Sequence, residues 1–344
     1  MNRESSTRKS VLRSVFQAVI LVLGTSPILS VHAQSYQPTC TREAAYASLE
    51  GQGLYILGGV YGEKSVTAEA YMIDLSESWD INNPKYKKLP NGFNHNYSPS
   101  GITSDGELWT VLIGYQGVRY NATSNSWSEI FRFDTHGIYG LTGATDHETN
   151  MMYVPFGYAN ADRTKGTLRV DLKTGDTTSD RRSYPMNKQN QFATAWNPLR
   201  KSMIYVGDNN VLEYTWEQGW KPFFKEGLDV LPYWDACLVS VSGGKKMALF
   251  GGVSKDYKPT GDIYVLDLSK KGKERWTKAP VDSKMKAEVA RHSAACGSTG
   301  DNVIISGGNA IPRHIGFECP NQRVAVFNVE TMKWMDRYVA PKKK

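Results

Sequence analysis

The stretch LYILGGV, residues 54–60, decides the fold, because close copies return as ALFGGV at residues 248–253 and VIISGGN at residues 303–309. Degenerate copies keep one glycine: LIGY at Gly114, PFGY at Gly157 and YVGD at Gly207. Six anchors result, Gly58, Gly114, Gly157, Gly207, Gly251 and Gly307, set 43 to 56 residues apart. In three of them a second glycine follows, Gly59, Gly252 or Gly308. Self-similarity at a period near fifty marks a chain built from stacked repeats. A phosphate-binding loop would lead its glycines into a helix, whereas Gly59 runs into VYGEKS and another strand-like run, so that reading is set aside.

Around each anchor the pattern repeats. A strand-like run lies upstream, and downstream comes an alternating stretch that ends at Asp, Asn or a turn residue: AYMIDLS, VRYNATS, TLRVDLKTG, VLEYTWEQG, DIYVLDLS and RVAVFNVET. This is how a strand that closes in a tight turn reads. An aromatic usually comes next, namely Tyr86, Trp127, Trp220, Trp276 and Trp334, with the third copy lacking one. Each unit therefore offers four short strands. Such a sheet cannot bury both faces alone and must stack on its neighbours around an axis. Glycine would let the strands bend where they crowd toward that axis, and the tryptophan would fill the gap between units.

Gly-Gly after a strand, then Tyr with Asp-Leu, then Trp, resembles the kelch repeat. The phrase YMIDLSESWDINNPKYKKLP, residues 71–90, is similar to secreted fungal kelch proteins of the galactose-oxidase-like propeller superfamily. The resemblance covers residues 40–339 and is strongest in units one, five and six. It implies an all-β fold, a six-bladed kelch β-propeller of four-stranded antiparallel blades. The blades fall near residues 40–90, 91–131, 132–182, 183–225, 226–280 and 281–340, within one domain spanning 34–340, with a basic tail at 341–344.

Residues 1–33 read as a secretory signal. Arg8, Lys9 and Arg13 precede an apolar run at 15–24, and Ala33 offers a small residue at a cleavage position. Gly24, Ser26 and Pro27 interrupt the run well short of the roughly 20 residues of a spanning helix. Removal of the segment lowers the formal charge from +7 to +4, and the remaining basic residues are scattered among acids, which excludes a nucleic-acid partner. Membrane contact would need an uncleaved anchor or a further C-terminal segment. An extracellular location, secreted or at the cell surface, is the expectation. Asn121 in NAT is a glycosylation acceptor, and Asn96 in NYS is a weaker one because Pro99 follows.

All four cysteines lie beyond the signal, which points to disulfides, with three pairings open. On a closed ring, Cys237 and Cys296 occupy similar places in adjacent blades, and Cys40 in blade one meets Cys319 in blade six. Those two pairs are favoured over a bridge between Cys296 and Cys319 inside one blade.

The resemblance places function on loops at one end of the propeller, those between second and third strands and those between blades. They carry Tyr61, Tyr97, Tyr139 and Tyr158, together with Tyr233, Trp234 and Tyr257. Arg163, Arg181, Arg313 and His314 join them. Tyr, Trp and Arg are the residues enriched at binding hot spots. His95, His136 and His292 all fall just ahead of a unit's first strand, where a metal site near the channel mouth would draw on them. No nucleophile elbow and no acid-base carboxylate pair stands out, and Asp146 and His147 read as turn residues. No cofactor is expected. The reading is a binding module for a protein or a glycan. Its alternatives are a galactose-oxidase-like enzyme with a metal at those histidines, and an ectodomain cut from a longer surface protein.

Overall fold

The computed structural model describes residues 36–96, 98–112, 116–132, 143–155, 166–180, 182, 192–207, 210–228, 234–254, 256–270, 275–280, 283–312 and 314–341. Residues 37–344 form one compact unit. It holds six four-stranded antiparallel sheets, each with its strands in chain order. Their innermost strands are Ala45–Leu49, Ser100–Ile102, Ala144–Asp146, Ala193–Asn197, Cys237–Val241 and Ala295–Thr299, and all six line one central cavity. The fold is thus an all-β, six-bladed propeller. One α-helix, Ser283–Val289, is present among the described residues.

The second strands explain themselves. Gly53–Leu57, Lys246–Phe250 and Asn302–Ser306 are near-continuous apolar runs, and their side chains are buried on both faces because a neighbouring blade covers each side. The core clusters accordingly straddle blades. One joins Phe250, Ile263 and Val265 of blade five to Val303, Ile305 and Phe327 of blade six. Another joins Ile204 and Val206 of blade four to Leu249 and Leu266 of blade five.

The outer-strand tryptophans reach back to the preceding blade. Trp127 Nε1 donates to the Pro90 carbonyl at 3.0 Å, Trp220 Nε1 to Thr167 Oγ1 at 3.2 Å, and Trp276 Nε1 to the Phe224 carbonyl at 3.0 Å. Trp334 packs edge-on against Phe250 of blade five, ring centroids 5.6 Å apart. Blade three has no such aromatic, since its outer strand Thr177–Asp180 is TTSD.

The glycine pairs have a more specific task than bending strands toward the axis. In each complete pair both residues take positive φ: Gly58 and Gly59 (60° and 97°), Gly251 and Gly252 (68° and 90°), Gly307 and Gly308 (63° and 94°). The second glycine then donates its N–H to the next blade: Gly59 to the His95 carbonyl (2.8 Å), Gly252 to Arg291 (3.0 Å) and Gly308 to Thr41 (2.9 Å). A Cβ on the first glycine would lie 2.5 to 2.7 Å from that same carbonyl oxygen. The phrase that marks the repeat is therefore a clasp between blades, open only to a residue without a side chain. Gly207 has no second glycine and no positive φ, and there a Cβ would meet Tyr205 Oη at 2.8 Å. Gly114 and Gly157 lie outside the described residues.

Ring closure leaves every blade continuous in sequence. Blade one is complete within residues 45–88 and blade six within 295–335, so no strand is exchanged between the chain's two ends. The seam is held by the clasp from Gly308 to Thr41, by Glu43 N donating to the Ser293 carbonyl at 3.0 Å, and by disulfide Cys40–Cys319 with Cα atoms 6.1 Å apart. The short strand Arg337–Tyr338 also pairs with Trp79–Asp80 of blade one. Tyr338 is fully buried there, and its Oη donates to the Leu75 carbonyl at 2.8 Å. The second disulfide, Cys237–Cys296, staples blade five to blade six, with Cα atoms 6.2 Å apart.

Candidate ligand-binding face

Three segments that lead into innermost strands share a local design. Arg42, Trp234 and His292 each form a β-bridge with the residue after their own blade's glycine pair, Val60, Val253 and Asn309 respectively. The next residue in each, Glu43, Asp235 and Ser293, takes a left-handed conformation at φ 60°, 57° and 55°. These turns stack through the backbone, Glu43 N on the Ser293 carbonyl and Ser293 N on the Asp235 carbonyl, both at 3.0 Å. Blades five, six and one thus present equivalent positions side by side at one end of the propeller. The signal was in the sequence, as the aligned pentapeptides TREAA, YWDAC and RHSAA.

On this base sits an aromatic cluster. Trp234 and Tyr257 have ring centroids 5.0 Å apart, and Tyr257 meets His314 edge-on at 6.3 Å. Tyr257 is 51% exposed and Ile315, beside His314, 67%. Tyr61, 42% exposed, lies on the corresponding loop of blade one. Half of the strongly exposed large apolar side chains among the described residues therefore belong to these three loops. Nearby, the Arg42 guanidinium lies 5.8 Å over the Phe317 ring and donates from Nη2 to the Glu63 carbonyl at 3.2 Å.

The long loop at 309–322 is fixed from below. Asn309 donates from Nδ2 to the Gly316 carbonyl and accepts the Glu318 N–H, both at 2.9 Å. Arg291, fully buried, donates to the carbonyls of Val289, Gly307, Gln322 and Arg323. Burial alone pushes its guanidinium down to about 9. Disulfide Cys40–Cys319 ties the same loop to blade one. A site on this face is thus held by rigid elements.

Of the expected face residues, Trp234, Tyr257 and His314 come together, and Tyr61 lies two blades on. Tyr97, Tyr139, Tyr158, Arg163, Arg181, Tyr233 and Arg313 lie outside the described residues. Asn121 accepts the N–H groups of Thr123 and Ser124 in an exposed turn, whereas the Asn96 amide donates to Glu43 at 3.2 Å.

The histidines do not form the equivalent set that their sequence positions suggested. His95 supplies the carbonyl that clasps Gly59, which aligns it with Arg291 and Thr41, while His292 stands one residue further on. His95 is buried with Nδ1 2.6 Å from the Phe93 carbonyl, and burial lowers its pKa. His292 has Nδ1 at 3.2 Å from Asp235 Oδ2 and Nε2 at 3.2 Å from the Ile311 carbonyl. They share no partner, and His136 lies outside the described residues. Among the described residues no three His, Cys, Asp or Glu side chains are grouped to hold a metal ion. Asp146 closes a turn, its Oδ1 accepting Glu148 N–H at 3.1 Å and its Oδ2 the Thr149 hydroxyl at 2.7 Å.

The innermost strands also enclose a central channel of about 330 Å³, lined by all six of them and by the turns that follow several of them.

No protein-family model matches this chain, and no curated protein matches it. Among solved structures, that of YjhT superimposes with a TM-score of 0.58 over 87% of this chain and 98% of its own, at 13% sequence identity. The two share a fold. At that identity the likeness extends to architecture and no further.

Proposed function

We propose that this chain is a secreted or cell-surface binding module built on a kelch-type propeller, and that it recognises a protein or glycan through the face of blades five, six and one. The observation that carries the reading is the cluster of Trp234, Tyr257 and His314 on a scaffold braced by Arg291 and two disulfides. Rigid aromatic rings give large contact area at little ordering cost, for a sugar ring or for an apolar side chain. The signal-like segment at 1–33, the paired cysteines and the Asn121 acceptor at the head of an exposed turn support an extracellular setting. The test is glycan-array and cell-surface binding of the secreted protein beside its Tyr257→Ala variant. Bound signal that falls at least tenfold in the variant, with an unchanged melting temperature, supports the reading. Equal binding by both removes this face from consideration.

A further inference from the structure

Two stretches carry the N-glycosylation acceptor pattern, one from Asn121 to Thr123 and one from Asn96 to Ser98, and the fold treats them differently. Asn121 closes the third strand of blade two, Gln116–Asn121, and heads the turn into the fourth, Ser126–Arg132. Its Oδ1 accepts the N–H groups of Thr123 and Ser124 at 2.8 and 2.9 Å, a turn closed entirely by its neighbours in sequence. Residues 122–126 are exposed. Nδ2 of Asn121 has no partner among the described residues and is not one of their enclosed polar atoms, so it opens to solvent. The carbonyl half of the amide thus fixes the side chain while the nitrogen half stays free. A group attached to that nitrogen would displace nothing.

Asn96 is the reverse case. It is half-buried, and its Nδ2 donates to the buried Glu43 carboxylate, 3.2 Å from Oε2. Ser98, which supplies the hydroxyl of the acceptor pattern, is buried as well, with Oγ 3.4 Å from the Asn96 carbonyl. His95, just before, gives the carbonyl that clasps Gly59 of blade one. A sugar on Asn96 would therefore have to stand where blades one and two meet. Pro99, immediately beyond the pattern, also weakens it as an acceptor.

The place of Asn121 on the propeller follows from the antiparallel blades. The chain enters the innermost strands from the end that carries Arg42, Trp234 and His292. Turns from first to second strand and from third to fourth strand consequently lie at the other end. Asn121 sits in a turn of the second kind, whereas Asn96 leads into Ser100–Ile102 at the near end.

We propose that Asn121 carries an N-linked oligosaccharide and that Asn96 stays unmodified. The sugar then stands at the end opposite the aromatic face and leaves that face clear. The inference rests on the extracellular reading, because the lipid-linked donor is met on export. In the transfer, Asn121 Nδ2 forms a bond to the anomeric carbon of an oligosaccharide carried on a lipid diphosphate. The bond from that carbon to the diphosphate oxygen breaks, the diphosphate leaves with the electron pair, and Nδ2 gives up one proton. Oδ1 keeps both of its turn hydrogen bonds.

The test is expression of the full chain in a eukaryotic secretory host, once with its own residues 1–33 and once with a leader of the host in their place. The product, secreted or retained, is treated with peptide-N-glycosidase in heavy-oxygen water, which turns a glycosylated Asn into labelled Asp, and is mapped by mass spectrometry. Label is expected at Asn121, and Asn96 should be recovered as unlabelled Asn. Asn121→Gln should abolish the electrophoretic shift that the glycosidase produces, and Asn96→Gln should leave it unchanged. The glycosidase should also release the sugar from the folded protein as completely as from denatured protein. Label at Asn96, or protein exported with Asn121 unlabelled, would overturn the proposal, as would a sugar released only after denaturation. The two leaders separate this inference from the reading beneath it. A chain exported and labelled at Asn121 only with the host's leader would remove the secretory reading and leave the assignment of the site standing.

Discussion

Gly51 and Gly251 share a φ of 68°, yet one faces open space and the other a carbonyl oxygen 2.7 Å from where a Cβ would stand. The left-handed backbone costs a side-chain-bearing residue about 1 kcal/mol or somewhat more, and this applies to both. Only Gly251→Ala adds a clash that forces blades five and six apart. Chemical denaturation should show Gly51→Ala losing about 1 kcal/mol and Gly251→Ala at least twice that. Equal losses would mean that the clasp contributes little. Titration is a second residue-scale property. Burial pushes Tyr46, Tyr86 and Tyr338 up to about 12, with Asp235 adding to the effect at Tyr46, and drives Tyr71 and Tyr214 further up. Their folded pKa values exceed the unfolded value near 10, so the unfolded chain releases these protons first. Stability is therefore flat with respect to them below pH 10 and falls between pH 10 and 12, by about 1.4 kcal/mol per pH unit for each proton. Arg291, shifted down, opposes this with one proton against several. Melting temperature measured from pH 8 to 12 should drop steeply above 10, and Tyr46→Phe should make the slope shallower.

At the scale of the element, the outer-strand tryptophans set how firmly neighbouring blades adhere. Trp276 is 1% exposed and spans blades four and five, so Trp276→Ala should cost about 3 to 5 kcal/mol. Trp334 is only half-buried, and its loss should cost clearly less; urea unfolding of the two variants checks the order. These elements were readable because their signals are local: period-two alternation, Asp or Asn at the turn, and a tryptophan at a fixed offset. The strands Trp79–Asp80 and Arg337–Tyr338 were not, since two residues carry no periodicity and their pairing spans nearly the whole chain. The helix Ser283–Val289, seven residues long, was equally silent. On the ligand-binding face, Trp234, Tyr257 and His314 were legible as aromatic loop residues. The left-handed turns at Glu43, Asp235 and Ser293 leave no trace in composition, since a positive φ there falls on residues other than glycine, and they show only when TREAA, YWDAC and RHSAA are aligned with one another. The one-residue offset between His95 and His292 emerges only once the blades are superimposed through their clasps.

Across the whole molecule, the seam between blades six and one carries two fasteners beyond its backbone clasp, the disulfide Cys40–Cys319 and the pairing of Arg337–Tyr338 with Trp79–Asp80. Two fasteners on one seam should not act independently. Truncation after Asp336 and the Cys40→Ala/Cys319→Ala substitution should each lower the melting temperature modestly. Together they should lower it by more than the sum, because each alone leaves the other to reinforce the clasp between Gly308 and Thr41. A merely additive result would show that the two act on separate parts of the fold. The continuity of each blade in sequence also imposes an order in time. As the chain emerges from the ribosome, blade one can form its sheet early, but its exposed flank must wait for the last blade, and Cys40 waits for a partner 279 residues downstream. The ring is thus an open arc for almost the whole of synthesis, and the oxidation that joins Cys40 to Cys319 records that the last turn of the circle has arrived.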